Sequence, residues 1–344
     1  MIKILVVDDS AFMRKVVTDL ITDFSDMEVV ATARNGKYAL QWLETNQADM
    51  ILMDVEMPVM NGIEALTKIK QLYPISVIML SSLSTKEITI EALALGADDF
   101  VEKPMRLMSI DQEWIDDFSE KIRSIYQKKQ AMSTRSVLTN TPQNSAPISP
   151  SLVKKSSFPT RVDALVIGAS TGGPRALLKV IQQLPPRLRI PVFIVQHMPK
   201  GFTTSFAQRL DAETTVTVKE VSDQMLIEPC VYLCPGDYHL TIENNRLRLN
   251  QQPKLHGTRP AVDYLFTSAA SHYRQNLVGV LLTGMGKDGA AGMKDIQRFG
   301  GYTFAQDKET CVVYGMPKYA VEQQAVNEVL SLEAIAKKIR EIVR

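Results

Sequence analysis

Short apolar runs alternate with stretches of helical period along most of this chain, and that alternation restricts the fold more than any other feature. In the first third, apolar runs at 2–7, 28–31, 50–53, 76–80 and 100–101 are separated by amphipathic segments of about ten residues or more. Runs this continuous are buried on both faces, and parallel strands joined by crossover helices are the arrangement that buries them. The spacing predicts an α/β fold of five βα units over residues 1–126. The alternation resumes at 164, with buried strands expected at 164–167, 190–196 and 277–282 and helices at 202–210, 260–272, 290–298 and 331–343. Between them, 216–218, 231–233, 239–242 and 246–249 read as a β-like insert, the last two pairing as a hairpin about Asn244 and Asn245. Residues 161–344 therefore make a second α/β domain, doubly wound, with a β-hairpin insert.

The tract from 127 to 160 has neither period and fills with Ser, Thr, Asn, Gln and Pro. It offers too little apolar surface to offset its ordering entropy, so a flexible tether is expected between two domains. A chain of 344 residues can build two separate cores.

Charge divides along the same lines. Residues 1–126 carry 12 Lys and Arg against 21 Asp and Glu, residues 127–160 carry 5 against 0, and residues 161–344 carry 22 against 17. An acidic front and a mildly basic back suit domains that dock, and they give no concentrated basic face for nucleic acid. No apolar run approaches the roughly 20 residues of a membrane span, and the opening M-I-K-I-L-V-V-D-D places two carboxylates where a signal peptide keeps its apolar core. A cytoplasmic protein without membrane insertion is expected. Cys230, Cys234 and Cys311 form no close metal set and are odd in number, as reduced buried thiols would be.

In a parallel sheet, function gathers at the carboxyl ends of the strands. In the first domain those ends carry Asp8 and Asp9, Asp54, Ser81 and Ser82, and Lys103 with Pro104. Three carboxylates there would repel one another without a cation, and an all-oxygen set suits Mg²⁺. Lys103 supplies a positive charge for a phosphoryl oxygen, and Asp54 becomes a phosphate acceptor. Helix capping by Asp8 and Asp9 is the plainer role for an isolated Asp pair, but it leaves Asp54, the serines and Lys103 without explanation. With D-D, D-V-E-M-P-V-M-N-G, S-S and K-P in this order, residues 1–126 resemble the receiver domain of two-component response regulators. The resemblance implies phosphorylation of Asp54 by a histidine kinase phosphodonor. It also implies Mg²⁺ held by Asp8, Asp9, Asp54 and the Glu56 carbonyl, phosphoryl contacts from Ser81 and Lys103, and a switching aromatic at Phe100.

The second domain opens with A-L-V-I-G-A-S-T-G-G-P-R at 164–175. Four apolar residues, a glycine-rich turn and a proline suited to a first helical turn place Ser170 on a strand-to-helix bend, in the G-x-S-x-G pattern that exposes a nucleophilic hydroxyl. The same loop could cradle phosphate without chemistry. Two further strand ends offer His197, in Q-H-M-P, and Asp288, in T-G-M-G-K-D-G. A serine needs a base, and an imidazole needs an acid that fixes its tautomer. His256, in the polar H-G-T-R-P loop, is the second choice of base; His239 lies in the hairpin and His272 on a helix. Of the other acids, Asp163 precedes the Ser170 strand, Asp263 sits in a helix and Asp307 in a late loop. Backbone amides of Thr171 and of one residue in 284–286, Met285 first, are expected as oxyanion donors.

The order Ser, His, Asp along the chain departs from the Ser, Asp, His order of α/β-hydrolases. Residues 161–344 instead resemble the catalytic domain of the chemotaxis methylesterases through G-A-S-T-G-G-P, Q-H-M, R-P-A-V-D and L-L-T-G-M-G-K-D-G-A-A-G-M, and the receiver-linker-esterase order extends the likeness to the whole chain. Lys287 stands where that family often has a small residue. The resemblance implies a glutamate methyl ester on the cytoplasmic helices of chemoreceptors as substrate, methanol as product, glutamine deamidation at such sites, and Ser170, His197 and Asp288 as nucleophile, base and orienting acid, with no cofactor for the esterase step. A receiver fused to an enzyme is expected to cover the Ser170 cleft until Asp54 is phosphorylated. The competing reading is a phosphorylation-controlled adaptor whose serine loop binds a partner without turnover.

Overall fold

A computed structural model describes residues 1–104, 110–137 and 158–344. The chain separates into two compact units, Met1–Gln127 and Lys128–Arg344. In the first, strands β1 (Ile2–Val7), β2 (Met27–Ala33), β3 (Met50–Asp54), β4 (Ser76–Ser81) and β5 (Asp99–Glu102) alternate with helices α1 (Ala11–Thr22), α2 (Gly36–Leu43), α3 (Gly62–Leu72) and α4 (Lys86–Ala94). They form one parallel sheet in the order β2-β1-β3-β4-β5. The order reverses between β1 and β3, so Asp8 and Asp54 face one crevice. Every residue of β3 and β4 is buried, as a sheet covered on both faces requires.

Helix α5 runs Gln112–Val137. The sequence reading ends helical order at 126 and begins a tether at 127, so the first part of that tract is helical instead. Glu120, Lys121, Arg123, Gln127, Lys128, Lys129 and Gln130 are good helix formers, and propensity carries the helix beyond its buried positions Phe118, Ile122 and Ile125. Of the tether expected over 127–160, residues 138–157 lie outside the described residues.

The second unit holds a seven-stranded sheet in the order β15-β14-β13-β6-β7-β10-β8, parallel throughout. Its strands are β6 (Ala164–Ala169), β7 (Val192–Gln196), β8 (Val218–Glu220), β10 (Val231–Leu233), β13 (Leu277–Leu281), β14 (Tyr302–Gln306) and β15 (Glu328–Leu330). Two groups of helices pack with them: α6 (Gly173–Ile181) with α7 (Phe202–Glu213) and α11 (Leu332–Ile342), and α8 (Val262–Tyr273) with α9 (Ala290–Arg298), which meets α10 (Met316–Glu322). Strands β9 (Met225–Leu226), β11 (His239–Glu243) and β12 (Arg246–Asn250) form a separate antiparallel sheet. The insert is thus smaller than the sequence suggests, because β8 and β10 belong to the main parallel sheet. The hairpin turn falls on Asn244 and Asn245, both left-handed at φ 49 and 60, the geometry whose twist matches its strands. Leu240, Ile242 and Leu247 bury one face of the hairpin in the core shared with Val262, Leu265 and Phe266.

Candidate active site and phosphoacceptor site

The crevice of the second unit lies where β6 is flanked by β7 and β13. Register places Ala169 beside Gln196, and the next step of the ladder continues past the strand ends, where the His197 N–H donates to the Ala169 carbonyl at 3.0 Å. Ser170 and His197 therefore follow paired residues on adjacent strands. The Ser170 N–H donates to Thr283 O (3.0 Å), which ties the bend to the end of β13. Gly172 takes φ 73, and a Cβ there would lie 2.3 Å from Val312 Cβ, so the tight bend needs glycine at that position. Pro174 occupies the first turn of α6, where its missing N–H costs nothing. Ser170 Oγ makes no hydrogen bond among the described residues and is left free to react.

Asp288 is buried, and its two oxygens are fully engaged. Oδ2 accepts from His197 Nε2 (2.7 Å) and the Val262 N–H (2.6 Å), and Oδ1 accepts from the N–H groups of Asp263 (3.0 Å) and Gly289 (2.8 Å). Burial works against ionisation of this carboxyl. The hydrogen bond and charge of His197, with the amides at the N-terminus of α8, outweigh it and hold the carboxyl below its ordinary value. An ionised Asp288 only accepts, so His197 Nε2 carries the proton and Nδ1 is the ring nitrogen left as a base. Thr258 Oγ1 lies 3.5 Å from Nε2.

The remaining histidines fall into place. His256 turns to Asp263 (3.3 Å) instead of the serine, from a left-handed residue at φ 55. His239 is buried. Its Nδ1 accepts from the Ala261 N–H (3.1 Å), Nε2 donates to Pro253 O (3.2 Å), and burial lowers its pKa. His239 thus fixes the loop that brings Thr258 to His197. Arg259 braces the same loop through Asp237 and the carbonyls of Gln251 and Gln252. Asp163 is taken up by Arg161 and Asn276, and Asp307 by Thr310. Asp263, in the first turn of α8, is buried beside Asp288. Burial and then the neighbouring Asp288 charge raise its pKa, and its Oδ1 accepts from the Gly292 N–H at 2.7 Å.

Of the candidates at 284–286 for the second oxyanion donor, the Gly284 N–H already donates to Val313 O (3.1 Å). The loop around Val313 is tied down by Thr283, whose Oγ1 donates to Thr171 O (2.9 Å) and accepts from the Val313 N–H (2.9 Å). Sequence reasoning overlooked Thr283 and Gln196. The signal for Gln196 was a polar residue closing an otherwise apolar strand.

In the first unit, Lys103 Nζ lies 2.7 Å from both Asp8 Oδ2 and Asp54 Oδ1. Burial pushes the Asp54 carboxyl up to about 6 although the Lys103 hydrogen bond and charge pull the other way. One carboxylate oxygen from each of Asp8, Asp9 and Asp54 lies within 4.8 Å of the others, and Asp9 is exposed. Among the described residues Asp8 Oδ2 is buried with no partner beyond the Lys103 ammonium, an arrangement open to a hard cation. Glu56 lines the pocket of about 430 Å³ beside Asp9 and Val55. Ser81 Oγ faces away from this set, toward Thr85 (3.1 Å) and Thr89 on the α4 side. Phe100 is buried, with the Lys121 ammonium 5.9 Å from its ring centroid.

Residues 165–339 match the family model of the CheB methylesterases. The chain belongs to this family. Residues 4–113 match the model of the response regulator receiver domain. A protein-glutamate methylesterase/protein-glutamine glutaminase of Clostridium acetobutylicum is 42% identical over 350 residues, covering 100% of this chain and 98% of that relative. One of the same name from Bacillus subtilis is 41% identical, covering 100% and 99%. The crystal structure of the Thermotoga maritima CheB methylesterase catalytic domain is 44% identical with a TM-score of 0.51, covering 53% of this chain and 99% of that one. A CheB-family hydrolase with a receiver domain at its front end accounts for both crevices. Among the described residues no helix is long and apolar enough to cross a membrane.

Proposed function

We propose that this chain is a phosphorylation-activated protein-glutamate methylesterase that also deamidates glutamine, working in the cytoplasm on the helices of chemoreceptors. The observation that carries the reading is the short contact between His197, just past the strand end next to Ser170, and the buried Asp288. In this reading His197 Nδ1 takes the Ser170 proton as Oγ attacks the ester carbonyl, and Asp288 stabilises the imidazolium. The amides of Thr171 and Met285 receive the oxyanion. The imidazolium then returns its proton to the departing methoxide, giving methanol, and the base activates a water that releases the glutamate. With a glutamine substrate the same proton leaves with ammonia.

Asp54 is the phosphoacceptor for a histidine kinase, and Lys103 is already poised at its Oδ1 for the incoming phosphoryl group. Asp8, Asp9, Asp54 and the Glu56 carbonyl would hold Mg²⁺, which when bound offsets charge on phosphoryl oxygens. Ser81 contacts the phosphoryl group once its hydroxyl turns from Thr85 and Thr89. The esterase step needs no cofactor.

Methanol and ammonia release from methylated and amidated receptor membranes tests the enzyme. Ser170→Ala and His197→Gln should each abolish both products. Receptor binding that persists while the unsubstituted chain releases neither would contradict the reading.

A further inference from the structure

Gln196 is the last residue of β7, after V-F-I-V, and is only 2% exposed. A buried amide in such a strand is costly unless its hydrogen bonds are made, so its partners explain its presence. Its Nε2 donates to Ser170 O (3.0 Å) and to His197 O (2.9 Å). Both acceptors are carbonyls, so the nitrogen and not the oxygen must face them, and its two N–H bonds match two acceptors. Oε1 points the other way, buried and, among the described residues, without a hydrogen-bond partner. It occupies room that exists because residue 173 is glycine: a Cβ there would lie 2.0 Å from Oε1.

The two carbonyls belong to residues beyond the strand ends, where the parallel ladder no longer fixes them. Among the described residues, Ser170 O otherwise receives only the Gly173 N–H (2.7 Å) of its own turn. One rigid side-chain amide therefore spans the backbone of the proposed nucleophile and that of the proposed base. We infer that Gln196 is a positioning residue for the hydrolytic reaction: through Ser170 O and His197 O it sets the separation of the Ser170 hydroxyl from the His197 ring. The inference rests on the serine–histidine reading of this site. Gln196 touches no reacting atom, so substrate binding should not depend on it.

The test uses the full chain with Gln196→Met, which keeps length and apolar fit, and Gln196→Glu, which keeps shape and replaces the donor by an acceptor. Two rates are read: methanol release from methylated receptor membranes, and the rate constant for covalent labelling of Ser170 by a fluorophosphonate. Rate constants of labelling, unlike amplitudes, do not fall when part of a sample is unfolded. Gln196→Met should lower kcat about 10- to 100-fold, as expected for a small displacement of reacting groups. It should leave KM within about twofold and slow labelling in parallel; Gln196→Glu should lose at least as much. A labelling rate constant and kcat within twofold of the parent in Gln196→Met, or a change confined to KM, overturns the inference. Ser170→Ala separates the two claims. If that variant still turns over or is still labelled at the same rate, the serine reading itself falls. If it is inert while both Gln196 variants match the parent, only the positioning role falls.

Discussion

At Asp288, three backbone amides and one imidazole converge on a single buried carboxylate, and this concentration of donors makes its charge useful. Asp288→Asn keeps the shape but offers an amide where donors already point. We expect a kcat loss of roughly 10²- to 10⁴-fold, by analogy with removal of the orienting charge in other serine hydrolases, measured as methanol release. The lowered pKa of Asp288 also has a stability consequence. Its contribution is present above the ordinary carboxylate range and is lost as pH falls through the lowered folded value. Urea titrations should show that acid-side loss in the parent and a smaller one in Asp288→Asn. Asp54 has the opposite sign. Its carboxyl is raised to about 6, so the folded receiver is favoured when Asp54 is protonated and loses that advantage as pH rises from about 4 through 6. In Mg²⁺-free buffer, Asp54→Asn should stabilise the receiver by roughly 1–3 kcal/mol at pH 7.5 and by much less at pH 4. Equal stabilisation at both values would contradict the burial argument.

Among the elements, the parallel strands were legible because their apolar runs are continuous: 2–7, 231–233 and 290–298 coincide with two strands and a helix, and the others differ by a few residues at their ends. What escaped was set by tertiary partners. Strand β15, E-V-L, has a mixed pattern and exists because β14 offers it an edge, and β9 is two residues long on the flank of β12. The candidate site was legible in its residue types and strand-end positions, but not in its pairing: nothing in the spacing tells that His256 turns to Asp263 while His197 turns to Asp288. The loop between β12 and α8 is held by Arg259 and His239, long-range contacts that no local pattern encodes. Arg259→Ala leaves the Asp237 carboxylate without its fork and frees two carbonyls. It should destabilise the esterase domain by about 1–3 kcal/mol and lower kcat through Thr258 and His197. Arg259→Lys should recover only part, because an ammonium cannot reproduce the planar fork.

For the molecule as a whole, a receiver and a hydrolase on one chain suit a phosphorylation-controlled switch, and a few kcal/mol is enough to move most of a two-state population. Residues 138–344 alone should release methanol at least as fast as the unphosphorylated full chain; a slower fragment that is folded would contradict control by the receiver. Whether Asp54 phosphorylation governs hydrolysis at Ser170 is read as methanol release from methylated receptor membranes. The full chain would be compared with Asp54→Asn and Ser170→Ala, each with and without a small-molecule phosphodonor and Mg²⁺. Release that rises with phosphodonor in the parent, stays at the basal rate in Asp54→Asn and disappears in Ser170→Ala is the predicted result. Stimulation that survives in Asp54→Asn, or no release from the parent while Asp54 is phosphorylated, would contradict it.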